Sequence, residues 1–164
     1  MEKQLNPNIE KEIKEGFFEI KKKFGAENGN MTEEVQVYVS HLCLQNYHPI
    51  FCKFDLDAVK IFLSFSQIVY LNKGQVLYDD GYNENQLYVI LFGKLRLSDS
   101  QNKQVGQTLN IGWTAGEEIL FKQVRRDDKG NERKILTKRR DRCIATVDSC
   151  VLGFEKKSLR LIKL

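Results

Sequence analysis

Apolar residues recur along the first part of the chain at helical spacing. Ile9, Ile13, Phe17, Ile20 and Phe24 fall at steps of four, four, three and four, one stripe of a 3.6-residue helix. The spacing predicts a helix over 8–24, with Asn8 as its cap and Gly25 as its stop. "GAENGN" (25–30) reads as a loop. A second helix starts after Thr32, whose side chain caps it, with Glu33 and Glu34 in the first turn, where they suit the helix dipole. Val35, Tyr38, Val39 and Leu42 form its apolar face, and Pro49 closes the region. "DLDAVKIFLSFS" (55–66) predicts a third, shorter helix. Such stripes are the ordinary marks of packing against a neighbour.

From residue 67 the period changes. "QIVYLNKGQVLYDDGYNENQLYVILFGKLRLSDS" is rich in Val, Ile, Leu and Tyr, and Gly74, Gly81 and Gly93 divide it into short runs. Short antiparallel strands joined by tight turns leave this signature. "LYVILF" alternates too little for a half-exposed strand, so both its faces are expected to be buried. "QTLNIGW" predicts a further strand and turn, and "KILTKRRDRCIATVDSCVLGFE" the last strands. "KKSLRLIKL" begins a helix. Many short strands at close spacing imply a sandwich or barrel.

The 164 residues suit one domain, with room for a small helical appendage. A hydrophobic content of 41% is enough for a sizeable core and too high for a disordered chain. No apolar run approaches a membrane span, and "MEKQLNPNIEKEIKEG" lacks the apolar stretch of a secretory signal. Cys43, Cys52, Cys143 and Cys150 stand far apart without a Cys-x-x-Cys pair, as expected of reduced thiols in the cytoplasm. His41 and His48 are too few for a His-rich metal site and suit structural or surface roles. No Ser-His-Asp arrangement, metal cluster or Walker-type loop is visible, so the sequence points away from an enzyme. Glu117 and Glu118 are adjacent acids, but neighbours in sequence rarely face one site, and Cys143 has no histidine near it.

The net charge of +4 is uneven. Residues 122–142 hold ten Lys/Arg and four Asp/Glu, which leaves the rest of the chain slightly acidic. The basicity is local and hints at an acidic partner. Lys outnumbers Arg eighteen to eight and Asn is frequent, a composition that fits an A/T-rich eukaryotic genome such as a protist's.

Three stretches then follow one another in a telling order: "YLNKGQVLYDDGYNENQLYVILFGKLRL", "GWTAGEEILF" and "RCIATVDSCVLGFEKKSLRLI". Together they resemble the cyclic nucleotide-binding domain, over about residues 51–164. The resemblance implies an α+β fold. An antiparallel, jelly-roll-like β-roll fills 51–164, after a helical segment at 1–50 and before the start of a C-terminal helix. It implies cAMP or cGMP as the ligand and no other cofactor or metal.

In that family a loop and short helix reading Phe-Gly-Glu-Leu-Ala cradles the sugar phosphate, the glutamate binds the ribose, and an arginine in Arg-x-Ala-Thr forks onto the phosphate. Gly116 and Glu117 stand in matching positions here, followed by Glu118. Ala115 replaces the aromatic. Ile119 replaces the small alanine, where a branched side chain is expected to crowd the phosphate. Aligning Ala145-Thr146-Val147 with the family's Ala-Thr-Val puts Cys143 at the arginine position and Arg142 one residue early. A one-residue shift turns a strand side chain to the opposite face, and a bulge turns it back. A retained nucleotide site would comprise Gly116, Glu117, Glu118, Arg142 and Thr146, with Arg139 or Arg140 as other sources of the phosphate cation. Loss of a charged hydrogen-bond partner costs about 1.5–3 kcal/mol, roughly 10- to 150-fold in affinity.

About twenty residues, 122–141, intervene where the family needs only a few. "VRRDDKGNERKIL" predicts an extended hairpin with its turn at Asp128-Lys129-Gly130-Asn131. Its cations are Arg125, Arg126, Lys129, Arg133, Lys134, Lys138, Arg139 and Arg140. They form either a solvated mixed-charge surface or a contact for something acidic. No aromatic residue interleaves them, which argues against nucleic acid. Switching family members close a long C-terminal helix over the purine, and barely two turns of it fall within the 164 residues.

Two functions follow. The favoured one is a non-catalytic β-roll with lost or weak nucleotide binding. It would serve as a binding or scaffold module among other proteins of a larger cytoplasmic assembly, away from membranes. Cytoskeletal and ciliary structures are the settings suggested by analogy. The alternative is a cAMP or cGMP sensor regulating an attached or partner effector.

Overall fold

The four-residue step of Ile9 and Ile13 turns both inward from the first helix, α1 (Pro7–Phe24), and Ile13 is fully buried. The structure, a computed structural model, describes residues 6–24, 29–30, 34–49, 51–81, 85–99, 101, 103–120, 124–126, 132–134 and 139–159. The expected stop at Gly25, the cap at Thr32 and the hairpin turn at 128–131 lie outside them. Gly29–Asn30, read above as loop, is a two-residue strand, β1.

In the second helix, α2 (Glu34–Tyr47), Leu42 of the expected apolar face packs against the core and Tyr38 does not. Tyr38 is half exposed and bonds its hydroxyl to Glu12 of α1 at 2.6 Å, while Ser40, Cys43 and Leu44 are the fully buried residues. Apolar residues surround this helix on nearly every side, so their spacing does not single out one face. Contacts with α1 and the main sheet decide it. Asp55 caps α3 (Leu56–Leu63), its carboxylate accepting from the Ala58 amide at 2.8 Å. The helix ends before the expected 66, because Ser66 opens a strand.

The strands are β2 (Ser66–Leu71), β3 (Val76–Tyr78), β4 (Gln86–Phe92), β5 (Leu95–Ser98), β6 (Thr114–Ala115), β7 (Val124–Arg126), β8 (Glu132–Lys134), β9 (Arg142–Ala145) and β10 (Ser149–Glu155). α4 (Lys156–Leu159) follows directly. Sheet order is β1-β2-β10-β4-β6 in the main sheet, β3-β9-β5 in the second and β7-β8 in a third. All pairings are antiparallel. "QTLNIGW" does not form the expected strand: Leu109 makes one isolated bridge to Leu95, and β6 begins only at Thr114.

The main sheet is covered on both faces, which is why "LYVILF" reads as a continuous apolar run. Val89 and Leu91 of β4, with Cys150, Leu152 and Phe154 of β10, pack against Ile13, Cys43, Leu44, Val59, Phe62 and Leu63 of the helices. Tyr88, Ile90 and Val151 point the other way, towards Tyr78, Leu95, Cys143 and Ala145 of the second sheet. Ile13, Cys43 and Leu44 of the N-terminal helical segment thus share a core with the strands. Gly74, Gly81 and Gly93 all hold positive φ at strand reversals. At Gly93 a Cβ would also stand 2.2 Å from Ser149 Oγ. Among the described residues no helix is long and apolar enough to cross a membrane.

Candidate ligand-binding site

The Gly-Glu segment runs from β6 into a 3-10 helix, Glu117–Leu120. Gly116 joins them at φ +82°, a backbone that side chains rarely tolerate. Its missing side chain also leaves room for a neighbour. A Cβ there would stand 2.1 Å from Arg139 Nη1 and 2.8 Å from Cζ, so the Arg139 guanidinium lies against the glycine itself. From that position Nη1 donates to Glu118 Oε1 at 2.9 Å, and Nη2 donates to the Gln86 carbonyl. Cζ lies 4.2 Å from the Tyr78 ring centre and 6.0 Å from that of Tyr88. The two rings stack on one another. The Arg139 side chain is 1% exposed and that of Glu118 25%.

Arg139 is thus not presented to a partner on the hairpin surface, the role given to it above. It is buried at the hairpin's root, and the reason is strand geometry. Counting back from Cys143 in steps of two gives Asp141 and then Arg139, all directed to the inter-sheet side. The Gly81 amide donates to the Arg139 carbonyl at 2.9 Å, which holds the backbone in line with β9. The bulge considered for Arg142 lies instead in β3. Val76 pairs with Ile144 and Tyr78 with Cys143, two steps against one, so the irregularity turns Tyr78 inward while Val76 stays exposed. Arg142 remains on the outer face. It forks onto Asp79, with Nε to Oδ1 at 2.7 Å and Nη2 to Oδ2 at 3.0 Å, and this bond holds the Asp79 carboxyl below its ordinary range. The structure does not bring Arg142 to the Gly-Glu segment.

Cys143, at the family's arginine position, is fully buried beside Tyr78, and burial followed by the Asp141 charge pushes its thiol up to about 12. Such a thiol is a poor nucleophile at neutral pH. Burial, with the Glu118 charge behind it, also raises the Asp141 carboxyl, opposed by a hydrogen bond from Tyr78 and by Arg139. Glu117 is exposed at the edge of the cluster and acts on Asp141 in the same sense as Glu118. Asp141 therefore stands within electrostatic reach of Glu117, Glu118 and Arg139, and these carboxylates oppose an incoming phosphate.

The other predicted residues fall as follows. Ala115 is buried opposite Tyr88, where its small side chain fits the ring. Ile119 is buried, its amide closing the 3-10 turn onto the Gly116 carbonyl at 3.3 Å and its carbonyl accepting from Lys156 Nζ of α4. The crowding expected from its side chain is not what fills the space over Gly116; Arg139 does. Thr146 bonds its hydroxyl to the Lys94 carbonyl at 3.1 Å, in the turn after β9. Arg140 is exposed. Arg125 and Arg126 pair as backbone with Arg133 and Glu132 in the β7–β8 hairpin, which also holds Lys134. Lys129 and Lys138 lie outside the described residues. Tyr78, Gln86, Asp141 and Lys156 escaped the sequence analysis. Asp141 was within its reach through the period of two, whereas Tyr78 depended on a bulge with no mark in the sequence. Among the described residues no group of three His, Cys, Asp or Glu could hold a metal.

No protein-family model matches the sequence, and no curated protein matches it. Solved structures do. The regulatory domain of Toxoplasma gondii PKA, crystallised with cAMP, superposes with a TM-score of 0.60 at 14% identity, over 80% of this chain and 46% of that one. A cyclic nucleotide-binding-like protein from Brucella abortus gives 0.53 at 18%, over 75% of this chain and 96% of that one. The sensor domain of the Pseudomonas aeruginosa transcriptional regulator DNR gives 0.54 at 23%, over 73% and 78%. The chain has the fold of these cyclic nucleotide-binding and sensor domains, an antiparallel β-roll with helices.

Proposed function

We propose that this chain, with its cyclic nucleotide-binding fold, is a non-catalytic binding module whose own side chains occupy the phosphate cassette, leaving nucleotide binding lost or weak. One observation carries the reading. The cation in contact with Gly116 is already bonded by Glu118 and Gln86 and covered by Tyr78. A phosphate reaching Arg139 must displace a carboxylate and approach two more. Replacing a charged hydrogen bond of this kind costs about 1.5–3 kcal/mol, enough by itself to move a micromolar site to about 10–150 micromolar, before the opposing carboxylates are counted. The thiol at position 143 supplies no second cation.

Calorimetric titration of the unmodified chain with cAMP and with cGMP tests this. No binding up to about millimolar nucleotide is expected. Micromolar binding of either overturns the closed cassette and makes the chain a sensor. Binding to other proteins falls to the hairpin at 122–141. Its support is the local surplus of positive charge and the separate two-stranded sheet formed by β7 and β8. The partner it fits is an acidic protein surface within a larger assembly. Recovering partners with the unmodified chain and with Arg125→Glu/Arg126→Glu tests that half. A partner lost in the variant is expected, and identical recovery removes the hairpin from the reading.

A further inference from the structure

The acid that holds Arg139 is unequal to the rest of the cluster. Arg139 itself is closed off, Gln86 offers a backbone carbonyl and Tyr78 a ring, all buried or half-buried. Glu118 is charged, reaches the guanidinium from the cassette turn, and retains a quarter of its side-chain exposure. Its carboxylate places an oxygen 2.9 Å from Nη1, the distance and charge an anionic ligand would offer. The short 3-10 helix that carries it begins immediately after the glycine the guanidinium touches. A tethered group meets its site at an effective concentration of about millimolar or more, so a free anion starts at a disadvantage.

We propose that Glu118 is a built-in competitor: an anion on a tether, occupying on Arg139 the place of a phosphate-bearing ligand. The inference rests on the closed-cassette reading and names the residue that closes it. Its sequence position is the one that carries leucine in the Phe-Gly-Glu-Leu-Ala pattern, so the family pattern gives it no such role. Removing the charge while keeping the shape should turn the cassette into an anion site whose strength depends on Arg139.

Glu118→Gln makes that change, since the amide oxygen still accepts from Nη1. The unmodified chain, Glu118→Gln and Glu118→Gln/Arg139→Met are titrated by calorimetry with cAMP and, separately, with inorganic phosphate at low salt. Far-UV circular dichroism and thermal melts establish that each is folded. Binding of at least one probe about tenfold or more tighter in Glu118→Gln, and lost again in the double variant, is expected. A gain for phosphate but not cAMP supports the competitor and places the selectivity on the free anion. A gain for cAMP alone supports it with a nucleoside requirement. Equal affinities in the folded chain and in Glu118→Gln overturn it, as does a gain that survives loss of Arg139. If Glu118→Gln does not fold, Glu118→Ala, which removes the charge together with the arm that carries it, is read in its place against the same outcomes. Micromolar cAMP binding by the unmodified chain, still tightened tenfold by Glu118→Gln, sinks the closed cassette and leaves the competitor standing.

Discussion

The two faces of the main sheet are built from the same strands and come to different ends. On the helix side, residues of β4 and β10 meet α1, α2 and α3 in a core of Ile, Leu, Val, Phe, Tyr and buried thiols, with Phe62 and Phe154 packed at 4.1 Å. On the inter-sheet side the apolar packing of Ile90, Leu95 and Val151 gives way to Tyr78, Asp141, Glu118 and Arg139. Burying a charge is costly unless it is paired, so the second face carries its stability in a few specific bonds and the first in shape and area. A ligand site needs groups that can exchange partners, and among the described residues the ion pair of Arg139 with Glu118 lies on the inter-sheet face.

The comparison breaks most sharply through size on the helix side. Phe154→Ala should destabilise by about 3–5 kcal/mol in urea titrations, the cost of an emptied aromatic site. The same variant should leave nucleotide affinity where it was, provided the measurement is made on folded protein. Next is Cys143→Arg, which restores the family's arginine at a fully buried position beside Arg139. A second cation there is overpacked and repelled, so a loss of at least about 3 kcal/mol and no gained cAMP binding are expected by melting and calorimetry. Tight cAMP binding by this variant would show the cassette open to a phosphate after all.

Arg139→Met comes third. It removes the guanidinium and strands Glu118, but that carboxylate is partly exposed and can rehydrate, so the loss should be about 2 kcal/mol. A double-mutant cycle with Glu118→Ala, which removes the whole acceptor, isolates the pair. The fourth effect is pH-dependent and belongs to the helix side. Burial lowers the His48 pKa to about 4 from an ordinary 6.5. The unfolded chain therefore takes up a proton below pH 6.5 that the folded chain refuses until about pH 4. Stability from this group is complete above the upper value and declines towards the lower one. Melting temperatures should fall over that window, and His48→Phe should flatten the decline. The smallest effect is Arg142→Gln. Its fork onto Asp79 is solvent-exposed, so this variant should change the melting temperature less than Arg139→Met does.

The fold was largely legible in the sequence, and the site only in part. The four-residue steps of α1 and the unalternating run of β4 announce their burial, because one covered face and two covered faces leave different patterns. On α2 the pattern placed Leu42 against the core but not Tyr38, which is half exposed, since an all-round apolar helix leaves the choice to its neighbours. At the site, anchoring the alignment on Ala145 set Cys143 against the arginine of the family pattern, and Cys143 is buried opposite Tyr78. The same period of two, followed two steps further upstream, leads to Arg139, which had been counted both among the hairpin's cations and, with Arg140, as another source of the phosphate cation. Tyr78 could not be reached this way, because the bulge in β3 reverses its face. Nor could the bond from Lys156 to Ile119, which joins residues far apart in sequence.

The bond between the Gly81 amide and the Arg139 carbonyl has a use for protein engineering. It clamps the polypeptide at Arg139, near the downstream end of the 122–141 insertion, so changes of length upstream of the clamp need not be felt at the guanidinium. Closing a longer loop adds only about 0.6 kcal/mol per doubling. The span between β7 and β8 is therefore a natural splice point for a fluorescent reporter or an affinity handle.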